Sequence, residues 1–560
     1  MDNTRYISYL NSLHNYNAQN PNAYGEKNVN NEFFSKVAVK VSLCNYIERL
    51  LKGNKPHLLI LTGHAGDGKT SIMYQVIKNF GAEFNVNEKI SEVKLPTGKS
   101  CRCIKDYSEL HDAEKLKVLK ECVNLPFDDK FVFIVSNTGP IINTFGELFP
   151  EVEKEKAKID LIDAIDSNSG EIKNIHGISI CVINVASIDN TDFAVDFVKN
   201  LIQTSLWEKC ADCPKKAYCH ILRNRNLIEA NQERVFEFLK DHYVWLFEHG
   251  TRLTIRSMTE QLAYMLTGGF ECNQVISMEK HKLLFFNLFF GYIGLKYNEC
   301  ANTILAVKEA RKCNYCQKRL RADEMLFIGS DYSVFGKDLA DIIIEAQKNN
   351  GYISGWQEFI RRAYIFTNIV TDSADIERDN EDIFSKQFKK FLELREGTNK
   401  PSKQDLRLIT EALSMIYLGT ISDDENIPIT LSKESGLSQN VQLITGYIIT
   451  RNLSLISNET GDLMFDENHR KHKLGLMVEK KPLNCTISLP MLNYFEDLRN
   501  GVIPTNIDPQ LSHGVESLKA QLSSILSDTN DNTIEMVVLK NNNNCRYKLE
   551  ITDDNKIRSI

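Results

Sequence analysis

Eight consecutive residues constrain this chain more than any others: Gly63-His64-Ala65-Gly66-Asp67-Gly68-Lys69-Thr70. They meet the phosphate-loop pattern G-x-x-x-x-G-K-[ST] at every fixed position. The flanks agree with it. His57-Leu58-Leu59-Ile60-Leu61-Thr62 is a short apolar run that reads as a buried parallel strand, and Ser71 to Ile77 continues as an amphipathic helix. Gly63, Gly66 and Gly68 allow positive φ and let backbone N–H groups approach phosphate oxygens. The helix start adds unpaired donors and the positive end of a dipole. The candidate nucleotide-binding residues are therefore Gly63, His64, Ala65, Gly66, Asp67, Gly68, Lys69, Thr70 and Ser71. Lys69 is expected to reach the β- and γ-phosphates, and the Thr70 hydroxyl to bind Mg²⁺, with Ser71 behind it.

An NTPase also needs acids and a polar sensor. Arg102 to Asp106 reads as a weak strand followed by Tyr107-Ser108-Glu109. Asp106 is expected to hold Mg²⁺ through water and Glu109 to orient the attacking water. The plainer reading makes them a surface turn and a helix cap. A rival set, Asp160, Asp163 and Asp166, alternates like the solvated face of an amphipathic helix and ranks lower. Phe131 to Ser136 is a strong buried strand ending at Asn137, where a side chain at the carboxyl end of a sheet can meet a ligand. The alternative is a turn-initiating Asn before Thr138-Gly139-Pro140. Thr254-Ile255-Arg256-Ser257 opens a helix that ends at Gly268-Gly269. A cation in its first turn opposes the helix dipole, which suits Arg256 to a second sensor reaching the phosphates.

The charge of −7 leaves no whole-chain basic footprint for nucleic acid, so any DNA contact is local or made by a partner. No apolar run approaches the roughly 18 residues of a membrane span, and the N-terminus lacks a signal-peptide form. A cytoplasmic chain is expected. Fourteen cysteines in such a chain read as thiols and metal ligands rather than disulfides. Cys210, Cys213 and Cys219 form C-x₂-C-x₅-C, a metal-type spacing. Cys272, just past the glycine cap, is the preferred fourth ligand, with His220 the runner-up. Zn²⁺ and a [4Fe–4S] cluster both fit four thiolates. In the bland reading these are small buried residues, but Lys209, Asp212, Lys215 and Lys216 make the stretch polar for a core. Cys313 and Cys316, with Cys300 upstream, are a weaker second knuckle.

The order of elements divides 560 residues into four parts. Residues 1–55 are a loosely ordered arm and one helix from Asn31 to Gly53. Residues 56–275 are an α/β phosphate-loop core of AAA+ type with the cysteine box and a helical lid. Residues 276–430 are helical, with Lys280–Leu295 among the helices and 371–382 as an exposed linker. Residues 431–560 are a mixed α+β domain ending in a hairpin of Thr533–Lys540 and Cys545–Thr552. The chain lacks an N-K-x-D guanine signature, so ATP is expected over GTP, and it lacks a D-E-A-D-like run.

The phosphate loop, Lys105-Asp106-Tyr107-Ser108-Glu109, Ser136-Asn137-Thr138-Gly139 and the Cys210/Cys213/Cys219 box together resemble the DptF family of bacterial defence ATPases. The similarity covers about residues 30–275, and the cysteine box carries most of it. It implies an ATP-hydrolysing component of DNA phosphorothioation-dependent restriction. Such a component acts with other restriction-complex subunits on DNA lacking the host's mark, directly or through those partners. Self-assembly is compatible with that plan. No nuclease constellation stands out in this chain. The competing class is a signalling or scaffold ATPase switch that does not act on DNA.

Overall fold

The computed structural model describes all residues except 1–2, 15–30, 83–87, 276–278, 321, 329–331, 351–354, 368–380, 420–425, 432–440, 460–471, 503–506, 527–532, 541–542, 553–555 and 560. The chain forms two compact units. One spans Met1–Ile383 and takes in Gly461–Arg470, which lie outside the described residues; the other comprises Phe384–Thr460 and Lys471–Ile560. Among the described residues no helix is long and apolar enough to cross a membrane.

The first unit is built on six strands: β1 (Leu58–Thr62), β2 (Ile90–Lys94), β3 (Ser100–Ile104), β4 (Phe131–Val135), β5 (Ile172–Ile175) and β6 (Ile178–Asn184). Their order is β2-β3-β4-β1-β6-β5. The central four run parallel, with Leu58 opposite both Val132 and Ile180 and Arg102 opposite Val132. The edge strands β2 and β5 are antiparallel to their neighbours. Every residue of β1 and β4 is buried, as a parallel sheet covered on both faces requires.

Side chains alternate between two apolar layers. Leu59, Leu61, Phe131 and Phe133 pack against α2 (Ser42–Leu51) and α3 (Lys69–Asn79). Leu58, Ile60, Val132 and Ile134 pack against α4 (Asp112–Asn124), α5 (Thr138–Gly146) and α6 (Glu151–Ser167). The helix after β1 thus covers one face and the helix after β3 the other. Neighbouring β4 and β6 flank β1, so the sheet opens a crevice beyond the carboxyl end of β1. The chain continues through α7 (Phe193–Ile202), α8 (His220–Ala230), α9 (Gln232–Glu248) and α10 (Ile255–Thr267).

Three expectations need correction. The first 30 residues are not simply a loose arm: α1 (Thr4–Ser12) buries Tyr6, Ile7 and Leu10. Tyr6 Oη donates to Leu201 O at 2.8 Å and its ring meets Trp207 edge-on at 5.6 Å. The polar composition concealed an apolar face only two turns long. Residues 31–53 do not form one helix. Phe34–Val37 is a single turn, Ala38 is extended, and α2 starts at Ser42. The side chains of Gln203 and Asn200 take the carbonyls of Lys36, Val37 and Ala38, in place of helix donors. Lys280–Leu295 contains only Phe285–Phe289 as helix, followed by a tight hairpin at Tyr292–Tyr297.

No boundary falls at 275. The helices α11 (Leu305–Lys312), α12 (Lys337–Asn350) and α13 (Trp356–Thr367) belong to the first unit. The reason is aromatic packing. Phe238 of α9 meets Phe366 of α13 at 4.6 Å and Phe289 at 6.0 Å. Arg234 Nε donates to Ile365 O at 3.0 Å, and His242 Nδ1 lies 3.0 Å from Tyr315 Oη. The expected linker at 371–382 falls mostly outside the described residues.

The second unit is mixed. A five-stranded antiparallel sheet contains β7 (Asn426–Thr430), β8 (Val441–Ile449), β12 (Thr533–Lys540), β13 (Asn543–Ile551) and β14 (Ile557–Ser559). A three-stranded sheet contains β9 (Leu453–Glu459), β10 (His472–Val478) and β11 (Lys481–Thr486). The helices are α14 (Lys386–Glu396), α15 (Lys403–Leu418), α16 (Leu489–Arg499) and α17 (Pro509–Leu526). The expected terminal hairpin is present, with Val538 opposite Cys545. The unit starts near 384 rather than 431, because α14 and α15 pack on its strands.

Candidate functional site

The chain leaves β1 and turns through Gly63, Gly66 and Gly68, whose φ angles are 146°, 92° and 79°. Side chains strain in that region. Space is short too: a Cβ on Gly63 would stand 3.1 Å from the Ala186 nitrogen, and one on Gly66 3.0 Å from Thr254 Oγ1. The loop is a close approach of three segments, and glycine permits it.

Lys69 folds back on this loop. Its Nζ donates to Gly63 O at 3.0 Å, His64 O at 2.7 Å and Asn137 Oδ1 at 3.1 Å. An ammonium has three donors, and these contacts use all three. Lys69 is only 7% exposed. Burial draws its pKa below the usual lysine value, while Asp67 and Asp106 draw it back up.

Asn137 follows β4 and caps α5. Its N–H donates to Ser108 Oγ at 2.6 Å, and Ser136 Oγ donates to its carbonyl at 2.9 Å. Ser108 lies in the single turn Tyr107–Glu109 that Asp106 opens after β3. The two loops at the ends of β3 and β4 are therefore tied together. Glu109 is the exposed member, its carboxylate 4.0 Å from Lys89 Nζ.

A cavity of about 360 Å³ opens here. Its polar wall carries Ala65, Gly66, Gly68, Lys69, Thr70, Ser71, Asp106, Glu109, Asn137 and Arg256. Its apolar wall carries Tyr9, Leu13, Phe34, Val37, Val39, Val41, Phe193 and Phe197. Thr254 caps α10 by accepting from the Ser257 N–H, and the Arg256 N–H donates to Gly66 O at 3.1 Å. The helix α10 thus starts on the glycine loop itself.

Two residues expected to cradle phosphate do other work. Asp67 is fully buried beneath the loop. Its carboxylate accepts from the His64 N–H at 2.9 Å and from Arg252 Nη1 at 2.8 Å. The Asp67 charge is neutralised from behind, and the His64 N–H is already engaged. Asp67 therefore braces the loop. The His64 side chain points to solvent, 75% exposed. The rival acids lie on α6: Asp163 and Asp166 are exposed, and Asp160 bonds His176 at 2.9 Å, all away from the cavity wall.

Sequence reasoning missed Arg252, Ser108 and the apolar wall from α1 and residues 34–41. Ser108 sat inside a quoted motif, but its partner Asn137 is 29 positions away. Arg252 precedes a helix cap and carries no motif.

The four box cysteines also come together. Cys210, Cys213, Cys219 and Cys272 line a second cavity of about 290 Å³, with Asn3, Ile7, Trp207 and Leu222. Burial pushes the Cys210 and Cys219 thiols up, and neighbouring cysteine charges add to this. Cys219 caps α8, and the Leu222 and Ile221 N–H groups point at its sulfur. His220, the alternative ligand, instead bonds Thr267 O at 3.1 Å, and burial lowers its pKa to about 4. Among the described residues, no three His, Cys, Asp or Glu side chains are gathered tightly enough to hold a metal ion. Cys313 and Cys316 both neighbour Tyr315, but Cys313 Sγ bonds Glu309 O, while Arg362, Glu358 and Arg361 lie around Cys316. The chain matches no family model, no curated protein and no solved structure.

Proposed function

We propose that the cavity beyond β1 binds ATP with Mg²⁺ and hydrolyses it, and that the first unit is a phosphate-loop NTPase core of AAA+ type with α10 as lid. One observation carries the reading: Lys69, Asp106, Asn137 and Arg256 come from four separate segments and line one cavity around the glycine loop. The parallel order β3-β4-β1-β6, with the loop leaving β1, supports the same reading.

Each residue has a defined task. The loop N–H groups and the start of α3 hold phosphate oxygens. The Thr70 hydroxyl and Asp106 hold the Mg²⁺ that neutralises the phosphates. With all three Lys69 donors occupied, an incoming phosphate oxygen has to displace one acceptor. Asn137 is the acceptor at the longest distance and the one on a side chain. Once displaced, its amide is free to orient the attacking water. Arg256 supplies positive charge to the transferring group from the lid. Tyr9, Leu13, Phe34 and Val37 offer an apolar wall to the base.

Hydrolysis is expected to be slow in the isolated chain, because Glu109 lines the cavity at an exposed position and its carboxylate lies 4.0 Å from Lys89 Nζ. That favours either a restriction ATPase completed by partner subunits or DNA, or a switch whose output is conformational. We infer the former from the family resemblance, with phosphorothioation-dependent restriction as the system and the bacterial cytoplasm as the place. Magnesium-dependent turnover of the purified chain, with and without DNA and partner subunits, tests it. Stimulation by DNA with partners supports the restriction reading. Nucleotide-dependent assembly without such stimulation supports the switch. Failure to bind ATP removes both.

A further inference from the structure

We infer that Cys210, Cys213, Cys219 and Cys272 ligate an iron–sulfur cluster of the four-iron class, with α1 closing the cavity over it. The inference stands independently of the nucleotide reading.

Four thiols from three separate segments face one cavity. Cys210 and Cys213 flank a turn, closed by the Cys213 N–H donating to Cys210 O at 3.3 Å. Cys219 sits at the start of α8 and Cys272 just past α10. Lys215 Nζ donates to Cys272 O at 2.9 Å and so ties the distant segment to the box.

Size decides the class of ligand. Zinc–thiolate bonds near 2.3 Å set the sulfurs of a tetrahedral site about 3.8 Å apart, and such a site leaves no space between them. Here the four cysteines, with nine other residues, line one cavity of about 290 Å³, and among the described residues no three of them are gathered as a single ion requires. A cube of iron and sulfide fills space from within, and each of its irons takes one outer thiolate.

The surroundings suit that occupant. Ile7, Trp207, Ile221 and Leu222 give the cavity an apolar wall, while Pro214 and Lys216 border its open side. A four-iron core in its common oxidised form, with four thiolates, carries a net charge of about −2. Lys215, Lys216 and the N–H groups of Ile221 and Leu222 offset it. Assembly is ligand exchange: two ferrous ions, two ferric ions and four sulfides enter, which together carry the 2+ charge of the core, each thiol releases its proton to solvent as its Fe–S bond forms, and no electron is gained or lost.

The N-terminal helix closes the site. Asn3 bonds Leu206 O at 2.8 Å and also reaches the Cys210 thiol. Further along the same helix, Tyr9 lines the nucleotide cavity, and Leu13 follows just after it.

The test uses the full chain, purified without oxygen and reconstituted with equal amounts of ferrous and ferric iron and with sulfide. Iron, acid-labile sulfide and zinc are then counted, and the visible absorption spectrum is recorded. Roughly four irons and four sulfides per chain, with broad visible absorption, support the inference. Roughly two of each, zinc alone, or neither metal overturns it. Cys213→Ser should bleach most of the absorption, while Cys300→Ser, at an exposed cysteine outside the cavity, should keep it. Because the wild-type count decides, a poorly folding variant leaves the test intact. ATP binding measured on the same preparation keeps the two readings separable.

Discussion

The glycine-loop cavity and the cysteine cavity lie in the same unit and both border on α1, yet they are held in different ways. Around the glycine loop several polar groups are bonded to each other. Lys69 is fixed on three oxygens, Asn137 is tied to Ser108, and Asp67 is locked to Arg252. Around the cysteine cavity Cys210 interacts with Asn3, Cys213 and Cys219, and backbone bonds set the turn and the start of α8. The first arrangement consists of bonds among its own polar groups, while the second, on the cluster proposal, is completed by its ligand. A preorganised site loses rate when one member is removed. A site completed by its ligand loses stability when that ligand is withheld.

The largest expected effect is Lys69→Ala. Magnesium-dependent ATP turnover should fall by about 10²–10³-fold, the scale for loss of a preorganised charge contact. The far-ultraviolet circular dichroism should be unchanged. Turnover within a few-fold of wild type would break the comparison, since the cavity would then not depend on its central cation.

Next is Asp106→Asn, expected to lower turnover by about a hundredfold with ATP affinity changed far less, because the acid acts through metal and water. Asp163→Asn on the exposed face of α6 is the control and should leave the rate alone. A larger effect at Asp163 would move the metal-binding acid elsewhere.

Arg252→Ala sharpens the contrast by attacking the brace rather than the cavity. It leaves the Asp67 carboxylate buried and unpaired, which typically costs about 3–5 kcal/mol. Arg252 is itself part-exposed, so about 2–4 kcal/mol is expected from denaturant unfolding. Restoring most of this with the double variant Asp67→Asn/Arg252→Ala would show that the charge, not the shape, is responsible. A single variant as stable as wild type would contradict the brace.

The smallest effect concerns pH. Glu260 lies one turn beyond Arg256 on α10, and burial raises its pKa from 4.5 to about 7, while Arg256 pulls it down. The folded chain then binds a proton that the unfolded chain has lost between those values. Its contribution to stability is present at low pH and is lost as pH rises toward 7. Glu260→Gln should match wild type near pH 5 and exceed it near pH 8, by on the order of 1–3 kcal/mol. Melting curves at both pH values check this, and parallel curves would show that Glu260 titrates normally.

Particular residues show how far the sequence could be read. Gly63 to Thr70 announced strand, loop and helix together, because the three steric requirements fall on adjacent positions. Thr254 and Gly268 bracketed α10 for the same reason: a cap is a contact between residues three or four apart. Lys280–Leu295 went wrong on either side of its aromatic run: Phe285–Phe289 is helical, but the chain then turns through Gly291 and Gly294, both at positive φ, into the hairpin. Apolar periodicity marks the buried run and does not register where glycine turns the chain.

By itself, the sequence determined the elements whose cause is local: the buried strands β1 and β4, the glycine turn, the helix caps and the cysteine spacing. Tertiary structure alone decided the rest. It set Arg252 against Asp67 across 185 positions, packed α1 on α10, buried Asp67 beneath the loop and brought Cys272 to the cavity that Cys210 lines. The physical reason is reach. A cap or a turn gains its energy from neighbours along the chain, so residue type and spacing reveal it. A buried ion pair or a shared cavity gains its energy from removing groups of distant origin from the same water, and no local pattern records which group will arrive.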